Sequence, residues 1–252
     1  ISDSTITASA LNTLDTATNG DIDASSVTTI TGSIDDINKV YESKDIKRPA
    51  FKSWTKLIGT DDMDFARSLT TGSDGSIYVG GITYGDLEEQ TNNGNGDSFI
   101  SKFNVSGETE WTRLLGTSVY NSGNALTTGS DGSIYIAITN NLNDPADGSI
   151  SKYEINGTKS WTKILDSFYY DSARALTTGS DGSIYIAGRT EGDLDGETNN
   201  GGRDAFISKY NPDGTKAWTQ LLGSSNDDSG YALTTGVNGS IYIAGRTEGD
   251  LD

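Results

Sequence analysis

The chain repeats itself, and that repeat restricts its fold more than any other feature. Ser-Ile-Tyr recurs at Ser76, Ser133, Ser183 and Ser240, and tryptophan at Trp54, Trp111, Trp161 and Trp218. Both series step by 57, 50 and 57 residues. ALTTGSDGSIYIA occupies 125–137 and again 175–187, and IYIAGRTEGDLD occupies 184–195 and again 241–252. The short middle step comes from one connection: TNNLNDPAD at 139–147 replaces GDLEEQTNNGNGD and GDLDGETNNGGRD. Length therefore varies in a loop and not in the strands, as surface connections allow. Such a chain folds as a series of like units, each leaning on its neighbours.

Residues 172–223 show what one unit contains. Ala173–Thr178 is a short run of small residues, Ser180-Asp181-Gly182 is a tight turn, and Ser183–Ala187 is β-branched and aromatic. A polar, Gly-rich stretch at 191–203 leads to DAFISKY at Asp204–Tyr210. Asn211-Pro212-Asp213-Gly214 is a strong turn, because proline presets φ and glycine accepts positive φ. Thr215–Leu222 then carries Trp218 and Leu222 on one face. The reading is four strands joined largely by hairpins. Ile184 and Ile186 oppose Tyr185 and Ala187, so both faces of the sheet need cover, and stacked sheets supply it. A period of about fifty residues with four strands per unit points to an all-β, β-propeller-type array of four-stranded antiparallel blades. An open β-solenoid or stacked-sheet array is the alternative.

The expected organisation is a small helix–strand–helix segment at 1–45, a charged linker at 46–50, and propeller repeats over 51–252. The blades fall at about 60–116, 117–166, 167–223 and 224–252, three complete and one partial. Ser33 and Asp36 resemble a capping box, followed by Ile34, Ile37 and Val40 at helical spacing. Phe51–Gly59 reads as one stray last strand. The chain halts at Asp252, the equivalent of Asp195, inside a loop, and opens on Ile1 rather than Met. Both ends read as cuts within a longer protein. A composite fourth blade, closed by the stray strand, is the other option.

Composition narrows the function. The 31 glycines suit many tight turns, and the regular Ile, Tyr, Trp and Phe positions argue against disorder despite 33% hydrophobic residues. A net charge of −18 repels nucleic acid and anionic membranes. With no Cys and no His, thiol nucleophiles, Cys/His zinc sites, histidine bases and Ser-His-Asp triads are all unavailable. No apolar run is long enough to span a bilayer.

The lead D-S-x-x-A-L, the (D/N)-G-S-I-Y hairpin, the strand D-(A/S)-F-I-S-K-(Y/F) and the run N-P-D-G-T-K-x-W cover roughly residues 51–252. Together they resemble the bacterial β-propeller repeat known as the SBBP repeat. ITASALNTLDTATNGDIDASSVTTITGSIDDINKVYES, near the start, resembles a repeat of very large cell-surface proteins of marine cyanobacteria, some linked to hemolysin-type calcium-binding proteins. These resemblances imply a secreted or cell-surface protein. They imply a non-catalytic structural, adhesive or interaction module whose partners are other blades or domains of the same large protein. A lectin-like propeller binding cell-surface glycans, in a calcium-dependent manner, is the alternative.

Candidate sites follow from the loops. Asp193, Asp195 and Glu197 alternate in one acidic loop, and Asp86 and Glu88 take the same places in another. Alternating oxygen ligands could wrap calcium, which accepts six to eight of them. A solvated acidic turn is the competing reading, favoured by the loss of the loop from the second repeat. Tyr120, Phe168, Tyr169 and Tyr170 precede the first strands of their blades and vary between repeats, so they are the expected ligand surface. The recurrent tryptophans read as core between blades, since large aromatics dominate burial. Asp74, Asp131 and Asp181 read as turn residues, because Asn238 serves in their place in repeat four. No unrepeated carboxylate pair of the kind glycoside hydrolysis needs stands out.

Overall fold

A second, shorter repeat lies near the start of the chain. Thr-Ile-Thr at 5–7 returns at 29–31, and Asp-Ile at 21–22 returns at 45–46. In the computed structural model, which describes residues 5–18, 20–27, 29–47, 54–140, 147–165 and 167–250, each copy folds as strand, helix, strand. The first is β1 (Thr5–Thr7), α1 (Ala8–Ala17) and β2 (Ile22–Asp23). The second is β3 (Thr29–Thr31), α2 (Ile34–Glu42) and β4 (Ile46–Lys47). β1 pairs in parallel with β3 and β2 with β4, every partner 24 residues away. Ala8, Leu11, Ile22, Ala24, Val27, Val40 and Ile46 form the core of this unit, which spans Ile1–Trp54. Thr7 and Ser33 cap the two helices by accepting the Ala10 and Asp36 N–H groups at 3.2 Å each. The expected helix–strand–helix is thus strand–helix–strand twice over. Ile46 and Lys47 belong to a strand and not to a linker, because Ile46 is buried against Ile22. Short parallel strands gain their partners from the other copy, so the pattern of one segment does not reveal them.

The second unit, Thr55–Asp252, holds the long repeats. Its first sheet is β5 (Asp64–Thr71), β6 (Ile77–Thr83), β7 (Asp97–Phe103) and β8 (Thr109–Leu114). The next is β9 (Asn121–Thr128), β10 (Ile134–Asn140), β11 (Asp147–Tyr153) and β12 (Lys159–Leu165). The third is β13 (Asp171–Thr178), β14 (Ile184–Thr190), β15 (Asp204–Tyr210) and β16 (Lys216–Leu222), and β17 (Ser229–Thr235) pairs with β18 (Ile241–Arg246). Each sheet is antiparallel with its strands in chain order. The unit is therefore all-β and built from four-stranded antiparallel sheets, with a final two-stranded one among the described residues. Residues 54–60 carry no strand, contrary to the stray strand expected at Phe51–Gly59, whose first three residues lie outside those described. In the full repeats this tryptophan strand pairs with the strand before it, Lys209 opposite Trp218, and a strand of this kind depends on that partner.

The core lies between sheets. Tyr78 and Ile100 of the first sheet pack with Leu126, Ile134, Ile136 and Ile138 of the second. Tyr135, Ala137 and Ile150, on the second sheet's other face, pack with Leu176, Ile184, Ile186 and Phe206 of the third. Successive first strands are also tied by hydroxyls. Thr128 donates to the Thr71 carbonyl (2.9 Å), Thr178 to that of Thr128 (2.9 Å) and Thr235 to that of Thr178 (3.4 Å).

Within each sheet a tyrosine, a lysine and a tryptophan stand in register across three strands: Tyr78, Lys102, Trp111; Tyr135, Lys152, Trp161; Tyr185, Lys209, Trp218. Tyr and Trp rings meet at 5.7–6.0 Å between centroids. Each lysine also reaches the turn aspartate of its own sheet, Asp74, Asp131 or Asp181, at 2.8–3.2 Å. The same aspartates accept the N–H two residues on, closing the turn, and Asn238 does likewise for Ser240 at 3.1 Å. Trp111 and Trp161 are seams between sheets, whereas Trp218 is exposed. Trp161 lies against Gly214, and the Trp111 indole N–H donates to the Ile155 carbonyl of the next sheet at 3.0 Å.

Gly157 lies under that indole with φ 79°, and a Cβ there would stand 2.9 Å from the Trp111 ring. Gly196 has a similar φ of 89° but open space around it. Gly157→Ala is expected to lower unfolding stability by about 2–4 kcal/mol, and Gly196→Ala by only about 1 kcal/mol, since the second change carries backbone strain alone. Urea denaturation followed by tryptophan fluorescence measures both.

Candidate functional site

Each first strand contains one residue too many for its partner. Along β5 and β6 the pairs run Ala66–Gly81 then Ser68–Gly80, which leaves Arg67 opposite nothing. Asn124 is passed over in the same way between β9 and β10, Arg174 between β13 and β14, and Tyr231 between β17 and β18. These are β-bulges, which bend a strand and redirect a side chain. All four occupy one position of the repeat, flanked by the near-constant A/G and A/S-L-T-T, yet they are Arg, Asn, Arg and Tyr.

The four bulge residues line one cavity of about 460 Å³, together with Tyr120, Tyr170, Ser122, Ser172 and Thr139. Arg67 donates to the Asn124 side-chain oxygen at 3.3 Å. Asn124 donates to the Ala173 carbonyl at 2.7 Å and to Thr139 at 3.0 Å, which fixes its amide between two sheets. The Arg174 guanidinium lies over the Tyr231 ring at 5.0 Å, and Arg189, on the neighbouring strand, over the Tyr170 ring at 5.3 Å. Burial first, then the Arg189 charge, pulls Arg174 below the usual guanidinium range. The Nε atoms of Arg174 and Arg189 are buried and have no hydrogen-bond partner. Among the described residues the arginine ion pairs are those of Arg203 with Glu191 and Asp227 and of Arg246 with Glu248. Arg67, Arg174 and Arg189 thus remain uncompensated in a chain of net charge −18.

The residues singled out from sequence divide between two places. Tyr120 and Tyr170 sit immediately before β9 and β13 and line the first-strand cavity. Phe168 and Tyr169 line a separate, more open hollow of about 670 Å³ with Glu191, Asp193 and Asp195. There the acidic loop is occupied with its own structure. Asp193 accepts the Asn199 N–H at 2.9 Å, as Asp86 accepts that of Asn92 at 2.8 Å. Asp195 pairs with Lys216 at 2.5 Å and accepts from Thr219. Leu194 and Glu197 exchange backbone hydrogen bonds around Asp195 (φ 56°) and Gly196 (φ 89°), a two-residue turn with both φ values positive. Glu88 holds the matching position with φ 46° and lies 3.9 Å from Lys56. Among the described residues no three acidic side chains gather as they would around a metal ion. Of the asymmetric 139–147 loop, residues 141–146 with Pro145 lie outside the described residues.

Arg67, Asn124, Arg174 and Tyr231 were missed by sequence reading. The signal was present as the one strongly varying position inside an otherwise repeated strand.

A second recurring feature governs pH response. Asp171 is fully buried, its Oδ2 accepting the Ser167 N–H at 3.1 Å and its Oδ1 without a partner. Burial pushes its carboxyl up to about 6. Asp97 and Asp204, which clasp the N–H four residues before them, are raised by burial as well. Asp181 moves the other way, to about 2, chiefly through its hydrogen bond from Lys209.

No family model matches the chain. The regulatory protein FlaEY of Caulobacter vibrioides (strain ATCC 19089 / CIP 103742 / CB 15) is 32% identical to it over 193 residues, which is 73% of this chain and 16% of that protein. The chain thus spans about a sixth of the length of the curated relative it matches. A crystal structure of a protein of unknown function from Dyadobacter fermentans aligns with a TM-score of 0.46 at 11% identity, covering 71% of this chain and 55% of that one. The crystal structure of polysaccharide lyase Uly1 aligns at 0.36 and 11%, covering 73% and 47%. Likenesses this loose carry no argument about fold or activity.

The pH dependence follows from the signs. Asp171 holds its proton to higher pH when folded, so its contribution is present below about pH 4 and is lost as pH rises through about 6. The loss is on the order of 3 kcal/mol. The contribution of Asp181 is present above about pH 4 and is lost as pH falls toward 2. Stability should therefore peak near pH 4. Asp171→Asn should flatten the decline between pH 4 and 7, as read by thermal melting across pH. The substitution fits because Asn121 already serves at the equivalent place, donating to the Val119 carbonyl at 2.6 Å.

Proposed function

We propose that this chain is a non-catalytic interaction module of a larger protein, a β-propeller-type array whose ligand surface is the cavity at the bulges of its first strands. The observation that carries this reading is the contrast between frame and bulge. Thr71, Thr128, Thr178 and Thr235 tie each first strand to the next, and the Tyr–Lys–Trp rows recur, while the bulge residue changes from sheet to sheet. Positions that hold the frame stay constant, and positions freed from the ladder can vary with a ligand.

The propeller reading rests on the first strands lying side by side and on sheets covered on both faces by their neighbours. The absence of catalysis rests on the lining. Arginines, tyrosines, hydroxyls and an amide surround the cavity, and among the described residues no carboxylate does. The chain also lacks histidine and cysteine. The lining therefore offers no histidine, cysteine or carboxylate as a general base, and its tyrosines are read as binding groups. A place outside the cell rests on the resemblance of the repeats to those of surface proteins, and the acidic surface is compatible with it.

Panels of immobilised glycans and peptides test this reading. The protein should retain at least one class of ligand, leave its mass unchanged on prolonged incubation, and lose it in Tyr120→Ala/Tyr170→Ala/Tyr231→Ala with the melting temperature within a few degrees. Retention that survives the triple substitution, shortened products, or no retention at all would each contradict it.

A further inference from the structure

The first-strand cavity carries an unusual charge for this molecule. Acidic residues outnumber basic ones 36 to 18, and the lysines facing the turns are all matched by aspartates. Yet Arg67 and Arg174 line one cavity with no carboxylate beside them, and Arg189 stands behind. Arg174 is half-buried and feels the like charge of Arg189, and a bound anion relieves that cost. The Nε atoms of Arg174 and Arg189 are closed off from solvent, so the terminal nitrogens of Arg174 are the donors left for a ligand in the cavity it lines. The paired terminal nitrogens of a guanidinium take an acid group by two parallel hydrogen bonds.

The rest of the lining selects the body that bears the acid. Tyr120, Tyr170 and Tyr231 supply aromatic rings, with Arg174 over that of Tyr231 and Arg189 over that of Tyr170, and Ser122, Ser172, Thr139 and Asn124 supply short donors and acceptors. Flat rings beside hydroxyl and amide groups suit a hydroxylated ring, apolar on its faces and polar at its rim. About 460 Å³ lies within the ordinary range for small-ligand sites. A peptide would instead call for an exposed strand edge or an apolar pocket, and this lining is polar.

We propose that the cavity binds an anionic saccharide, with Arg174 as the principal partner of its acid group, supported by Arg67, and with the tyrosines packing on the sugar ring. This rests on the reading of the cavity as a ligand surface. Arg189 is a positioning residue: its charge lies over Tyr170 and adds to the positive potential without lining the cavity.

Titration calorimetry with three probes tests the assignment: an oligogalacturonate, a sulfated galactan oligosaccharide and the neutral galactan oligosaccharide of equal length. The wild-type protein should bind at least one acidic probe more than tenfold tighter than the neutral one, with affinity falling as salt rises. The two acidic probes separate a carboxylate from a sulfate ester as the preferred group. Arg174→Asn should weaken acidic binding at least tenfold. It keeps the fold, because Asn124 is what the second sheet carries at this place, and an unchanged melting temperature verifies that. Equal affinity for neutral and acidic probes, or acidic binding untouched in Arg174→Asn, overturns the anionic assignment. Should the neutral sugar alone bind in a tyrosine-dependent manner, the interaction module stands and the anionic saccharide falls. Should none of the three bind, the anionic saccharide falls, and the glycan and peptide panels decide the interaction module separately.

Discussion

Three hydrogen bonds of one kind run through the long-repeat unit, from Thr128 to the Thr71 carbonyl, from Thr178 to that of Thr128 and from Thr235 to that of Thr178. They hold each first strand at a set distance and register from the next, and the rest of the unit hangs from that spacing. Once the first strands are placed, the Tyr135 face of one sheet meets the Ile184 and Ile186 face of its successor. Trp111 and Trp161 then reach the turn of the following sheet, where Gly157 and Gly214 leave room for an indole. No sheet could bury both of its faces alone. Cohesion between neighbours, more than strand propensity within a sheet, is what makes the array stable.

That same spacing creates the cavity. Consecutive first strands lie close enough for Asn124 to reach the Ala173 carbonyl of the next strand at 2.7 Å. The bulges then turn one side chain per strand toward a common space. A bulge alone is not a functional mark. Glu110, Ser160 and Ala217 are passed over in the same way between third and fourth strands, and they too vary. They show that a residue released from the ladder is free to change. Arg67, Asn124, Arg174 and Tyr231 differ in sharing one cavity, with uncompensated cations at its edge.

Much of this architecture could be read from the chain. The Ser-Asp-Gly and Asn-x-x-Gly turns, the alternation of Ile184 and Tyr185, and the strand at Asp204–Tyr210 all express local rules that need no partner. The parallel pairing at 5–7 with 29–31 could not be read so directly, because a three-residue strand takes its identity from the copy it pairs with. Trp54 misled for the converse reason: it carries the motif of a fourth strand, yet the described residues 54–60 form none. Tyr120 and Tyr170 were legible as variable loop residues. The arginines at the bulges were less so, because a strand that reads as framework hides an extra residue until its register is known.

The account holds that burial by neighbours stabilises each sheet. Chemically identical segments in different surroundings test it most directly. IYIAGR occupies 184–189 in β14 and 241–246 in β18. β14 is almost wholly buried between adjoining sheets, whereas β18 is largely exposed. Amide hydrogen exchange of this 252-residue chain, resolved residue by residue by NMR, compares the two without any difference in intrinsic chemistry. Exchange in β14 slower on the order of 100-fold or more is the predicted result. Equal protection of the two segments would mean that each hairpin holds itself together, and would contradict the account.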